Sequence, residues 1–251
     1  MAKQLLIYQS AVPVSAARHG DVCIEGKDTY AFSAGVNALP LMAIEFPRAA
    51  REYAIVFAAE GDEVMPTVVL GVRNDQNLYL SEDAHWKADY IPAFVRRYPF
   101  VFSSTDGGKS LTLCIDESYA GLNREGRGNA LFQDGKPTAY TDKVLEFLKD
   151  FQANFERTRA FGRRLKEFGL LEPMQANVTT PKGDKITLGG FQVVSREKLR
   201  ALDAEKLQQI ARTDELELIY LHLSSMQNFT GVKDRLVGTL AAADQGEATT
   251  A

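Results

Sequence analysis

The chain has 251 residues, 45% of them hydrophobic and 25% charged, with a formal net charge of −4 and a pI near 5.5. This is enough polypeptide for one sizeable domain or two small ones, and the acidic balance argues against broad electrostatic binding to nucleic acid. No stretch reaches the roughly 20 apolar residues of a membrane-spanning helix. The apolar run before Gln9 is shorter than the roughly 7–15 residues of a signal-peptide core, so a cytoplasmic protein is expected, with surface association by another route left open.

In chain order, Leu5–Tyr8 and Val22–Glu25 read as short strands. A short helix is expected to open near Pro47, since proline suits a first helical turn. The segments YAIVFA, PTVVLGV and NLYL follow as strands, the last two joined by a turn at RNDQN. IPAFVRRY reads as a short helix or tight turn ended by Pro99, and FVFSS and SLTLCID as a hairpin around TDGGK. Glu117–Pro137 is glycine-rich and aperiodic, which predicts a long loop with a functional or connecting role.

The second half changes character. The positions Val144, Leu148, Phe151, Phe155, Thr158, Gly162 and Leu165 step in threes and fours, predicting an amphipathic helix over Thr141–Phe168. MQANVTT and KITLGGFQVV should pair around PKGD. Ser195 should cap a helix running to about Ala211, and Thr213 or Asp214 should start another. The expected architecture is α+β, with a β-rich part (1–136), a helix-rich part packed on it as one unit (137–230) and an unstructured tail (231–251).

Several motifs resemble chemical signatures. GGKS at Gly107–Ser110 lacks the first glycine of a phosphate loop, since position 103 is Ser103, and is expected to be a turn. SREK at Ser195–Lys198 matches an acyl-transfer Ser-x-x-Lys, but a helix-start serine explains it more simply. His19 and Asp21 with His85 or His222 would make a non-haem iron set, although the turn residues around His19 favour a metal-free chain without a cofactor. Cys23 and Cys114 read as small buried hydrophobes, with a disulfide between them left open. Asp116 and Glu117 could form an acid–base pair, or end a strand and pair with arginine. The cations of ERTRAFGRRLKE suit the end of a helix, and the sequons at Asn177 and Asn228 carry no meaning in a cytoplasmic chain.

The stretch DYIPAFVRRYPFVF is the strongest candidate site. Tyr90, Phe94 and Tyr98 are four apart and share a helical face, while Arg96 and Arg97 lie off it. Either one arginine braces the turn against Glu45 or Asp116, or the pair holds a carboxylate or phosphate beside an aromatic wall. The candidate set is therefore Arg96, Arg97, Tyr98, Asp116 and Glu117.

The segments PVSAARHGD, ALPLMAIEFPRAAREYAIVF, VVLGVRNDQNLYL, YIPAFVRRYPFVF, LCIDES, GRGNALFQDGKPT, FGLLEPM, GGFQVVSREKL and LIYLHLSSMQNF occur in this order between Leu5 and Phe229. In them the chain resembles the SapC family of bacterial proteins, distinct from the similarly named permease of peptide transport. The resemblance implies an accessory or binding protein with a protein partner, associated with surface-layer or envelope pathways. The alternative it implies is an enzyme, or an enzyme's partner, related to iron-dependent JmjC or cupin-like hydroxylases. It implies no catalytic residue set.

Overall fold

A computed structural model describes residues 5–104, 110–180, 182–183 and 185–249, with side chains described only as far as residue 241. The turns expected around TDGGK and PKGD fall largely outside these residues. The first strand, β1 (Ala11–Pro13), is followed by a helical turn α1 (Ala16–His19) and β2 (Cys23–Ile24). β3 (Ala38–Pro40) leads into α2 (Phe46–Ala49), with Pro47 in its first turn. β4 (Ile55–Glu60) and β5 (Glu63–Val69) form a hairpin, reversing at Gly61 with φ +58°. Then come α3 (Ala93–Arg96), β6 (Phe100–Ser103) and β7 (Thr112–Asp116). Four two-residue strands follow: β8 (Leu122–Asn123), β9 (Asn129–Ala130), β10 (Phe132–Gln133) and β11 (Lys136–Pro137). The long helix α4 (Ala139–Glu167) precedes the hairpin β12 (Leu171–Thr179) and β13 (Lys185–Val194). α5 (Arg196–Arg200), α6 (Ala204–Arg212), α7 (Glu215–Ser225) and α8 (Phe229–Thr249) complete the chain. The class is α+β.

The central sheet has the order β12-β13-β4-β5-β3 and is antiparallel throughout. Strands from both halves of the sequence therefore meet in one ladder. β4 and β5 carry nearly unbroken apolar runs because both faces are covered, and Ile55, Phe57 and Val68 are wholly buried. α4 lies across β5, burying Leu148, Phe151, Thr158, Phe161, Gly162 and Leu165 at the predicted spacing. Its basic end is tied down: Arg164 reaches Glu215 at 2.8 Å and Lys166 reaches Asp62 at 2.9 Å. Among the described residues no helix is long and apolar enough to cross a membrane.

Several expectations need correction. Leu5–Tyr8 is a turn, closed by the Tyr8 amide donating to the Leu5 carbonyl at 2.9 Å, and the strand comes later at β1. NLYL does not pair as a hairpin strand. It follows β5 back only through the Leu78 amide to the Leu70 carbonyl and ends in a Leu80–Trp86 bridge, because β5 is already paired on both sides. The helix expected from Ser195 to Ala211 is two, broken before Asp203, whose carboxylate caps α6 by accepting from the Lys206 amide at 2.8 Å. The glycine-rich segment is not a free loop: β8 and β9 flank β2. Gly128, at φ +84°, lets its backbone approach so closely that an added Cβ would stand 2.2 Å from the Ile24 carbonyl oxygen. Finally, the stretch from Gly231 to Thr249 is helical. Its alanines favour helix, and Val232 and Leu236, four apart, are fully buried.

Candidate binding groove

Pro92 opens α3 and Pro99 follows it, so the RR pair sits on a single helical turn, where adjacent side chains diverge by about 100°. Arg97 turns inward and is only 3% exposed. Its guanidinium lies 4.1 Å from the Phe94 ring centre, 4.7 Å from Phe151 and 5.5 Å from Tyr8. Burial pulls its pKa down, and Tyr8 opposes that pull. The Tyr8 hydroxyl donates to the Phe100 carbonyl at 2.6 Å, and Tyr98 stacks on Phe32 at 3.9 Å. Asp116, fully buried nearby, accepts from the amides of Gln9 (2.7 Å), Ser10 (3.0 Å) and Ser118 (3.0 Å) and from the Ser118 hydroxyl (2.7 Å). Burial pushes its carboxyl up, but these donors outweigh it and hold the pKa below the ordinary carboxylate range. Arg97, Tyr98 and Asp116 thus gather around Tyr8 as a brace between the N-terminal segment and the β6–β7 pair. Glu117 points elsewhere: Arg18 donates to it at 2.7 Å and His19 Nε2 stands 3.4 Å away. The two carboxylates are engaged by separate sets of partners.

Arg96 turns outward. Its Nε donates to the Ile91 carbonyl at 3.0 Å, and its guanidinium sits 5.5 Å from the Phe147 ring and 6.0 Å from Tyr90. Here it lines a cavity of 630 Å³ between the Met42–Arg48 segment, Asp89–Arg96 and α4, with Arg48, Phe147 and Asp150 on its walls. A second cavity, of 300 Å³, shares Arg96 and Phe147 and continues past Lys143 to Tyr140. The two meet at Arg96 and Phe147, and we read them as one groove whose lining runs along α4 from Tyr140 to Asn154, fourteen helical steps or about 21 Å.

Glu45 holds the walls of the larger cavity together. It is 4% exposed; Oε2 accepts from the Met42 amide at 2.8 Å, and Oε1 accepts from the Ala93 amide and the Tyr90 hydroxyl, each at 2.7 Å. Burial pushes its carboxyl pKa up while the Ala93 and Met42 amides pull the other way. Glu45→Gln keeps the shape but turns an N–H towards these donors, so it should cost about 2 kcal/mol. Urea denaturation checks this, and an unchanged midpoint would show that the clamp does not matter.

A family model described as SapC matches residues 14–232, most of the chain and all of the groove. The chain belongs to the SapC family. Neither a curated protein nor a solved structure matches it.

In this SapC-family chain the histidines of the iron reading are scattered. Asp21 is paired with Arg124, His85 Nδ1 lies 2.7 Å from the Asp28 carbonyl, and His19 Nδ1 accepts from the Ser15 amide at 3.2 Å. Among the described residues no three His, Cys, Asp or Glu side chains converge as metal ligands. His222 is fully buried between β4 and β13. Nε2 accepts from the Val194 amide at 3.0 Å and Nδ1 donates to the Ile55 carbonyl at 2.7 Å. The register pairs Gln192 with Phe57, so Val194 and Ile55 stand opposite each other two residues on. The imidazole therefore closes the end of the sheet ladder from the side of α7. Ser225 completes the joint, accepting from the Ile55 amide at 3.0 Å and donating to the His222 carbonyl at 2.7 Å.

Cys23 and Cys114 are both buried and free. Ser195 is buried without capping α5 through its side chain, while Lys198 donates to the Leu171 carbonyl at 2.7 Å. Sequence reasoning missed the groove's other walls. One signal was present: Glu45 is a lone acid inside the apolar run LPLMAIEFP, where a carboxylate is kept only if backbone donors meet it.

Proposed function

We propose that this SapC-family chain is a non-catalytic accessory protein of surface-layer or envelope pathways, and that it holds a protein partner in the groove between α3 and α4. The observation that carries this reading is Arg96. Its Nε is fixed by a backbone carbonyl and its plane is flanked by two aromatic rings, while the side chain stays exposed in a groove. A guanidinium held this way costs little further entropy on binding. What favours binding over catalysis is that Glu45, the buried acid among the three that line the larger cavity, has both oxygens committed to structural donors.

The test is site-specific photo-crosslinking in the native cell, with the crosslinking residue at Lys143 in the groove or at Gln208 on the exposed face of α6. Position 143 should give a discrete adduct that position 208 does not, and Arg96→Glu should abolish it. Equal adducts from both positions, or none from 143, would refute the assignment.

A further inference from the structure

We infer that the occupant of the groove is an extended peptide segment of about six residues, with one carboxylate side chain seated against Arg96 and apolar neighbours on either side. This rests on the groove being the partner surface and adds what the partner must present. The length follows from geometry, since about 21 Å of groove at about 3.4 Å per extended residue holds six.

The charge follows from how the two cavities differ. The smaller is lined by Arg96, Arg97 and Lys143 with no acidic residue, and its other walls are apolar or aromatic, including Val144, Phe147 and Tyr140. That lining accepts a negative side chain beside aliphatic or aromatic ones. Among the described residues Arg96 and Lys143 form no salt bridge, so a ligand carboxylate displaces no ion-pair partner, while Arg96 also interacts with the Tyr90 hydroxyl and with the charge of Glu45. With Nε bound to Ile91 and the Tyr90 hydroxyl beside it, Arg96 offers its remaining terminal N–H groups to a ligand carboxylate.

The larger cavity sets a limit on that charge. Asp89 and Asp150 line it together with Arg48, and Ile44 offers an apolar seat that is 67% exposed. A polyanion lying along the whole groove would meet these two acids, on a chain whose net charge is already −4. A peptide with one carboxylate at Arg96, where the two cavities meet, and apolar or basic residues towards Asp89 and Asp150 meets matching charge throughout.

The experiment uses the full chain and fluorescein-labelled hexapeptides with Leu or Phe flanks and a central Glu, Gln or Lys, read by fluorescence polarisation. Competitors are a 20-nucleotide RNA and phosphatidylglycerol vesicles. Glu-centred peptides should bind at least tenfold tighter than their Gln-centred counterparts. Arg96→Gln should erase that difference without moving the thermal midpoint, and Arg96→Lys should restore only part of it, because an ammonium lacks the fork. Arg18→Gln, outside the groove, should change nothing.

Equal binding of Glu- and Gln-centred peptides, or a preference that survives Arg96→Gln, overturns the carboxylate assignment while leaving position 143 free to crosslink a partner. Binding to RNA or vesicles with displacement of the peptide, or no peptide binding at all, overturns the peptide itself. A missing adduct at position 143 fails the earlier reading instead.

Discussion

Replacing His222 by alanine should lower folding stability by about 4 kcal/mol, among the largest effects of any single substitution in this chain. The imidazole serves a backbone donor on β13 and a backbone acceptor on β4 at once, and both are buried. Alanine strands each of them in a dry interior and leaves a void beside Phe57, whose ring packs at 4.8 Å. His222→Gln, which can both donate and accept, should recover part of the loss. Urea denaturation of the three proteins at pH 7.5 makes the comparison, and an alanine variant within 1 kcal/mol of wild type would show that the ladder does not depend on this side chain.

The same residue predicts a pH profile. Burial drives its pKa down to about 4, against an ordinary value of 6.5. As pH falls below 6.5 the unfolded chain takes up a proton that the folded chain refuses, so stability is full above 6.5 and drains away down to about 4. The sum over that window is on the order of 3 kcal/mol. His222→Gln should flatten this part of the curve.

Gly162→Ala should destabilise the protein by about 3 kcal/mol, with the opposite sign to the rule for helices. In an exposed helix interior the change gains about 1 kcal/mol, because glycine gives up more backbone freedom on folding. In α4, however, a Cβ at 162 would stand 1.9 Å from the Val64 carbonyl oxygen and 3.0 Å from its carbon. Both are backbone atoms of a paired strand, so the helix must lift from the sheet. Gly238→Ala in α8, where a Cβ meets nothing within 4 Å, is the matched control and should be neutral or stabilising. A rise in thermal midpoint for Gly162→Ala would show that the helix-on-sheet contact is loose.

Periodic features were the legible ones. α4 was readable because Leu148, Phe151, Phe161 and Leu165 repeat at helical spacing on one buried face. The β12–β13 hairpin and the RR turn were readable for similar local reasons. What stayed hidden depends on partners distant in sequence. Nothing near His222 says that its ring will meet Ile55 and Val194, which lie 167 and 28 residues away. The groove was half legible: Arg96 and Arg97 stood out, but which of them faces solvent is decided by Phe151 and Tyr8, on other elements. The order of Gly121–Pro137 was illegible for a related reason, since Gly121 and Gly128 fit closely against Glu25 and Ile24, which lie about a hundred residues earlier.

The interleaved order of the central sheet bears on synthesis. β4 leaves the ribosome early, but its neighbour β13 ends at Val194, 134 residues after Glu60. At about 5–20 residues per second the wait is on the order of ten seconds. For that time the sequence IVFAA offers an open, uncharged edge to any other nascent strand. A polysome crowded with copies of this chain therefore carries a collision hazard that the finished molecule does not have, and slow translation between β5 and β12 would lengthen it.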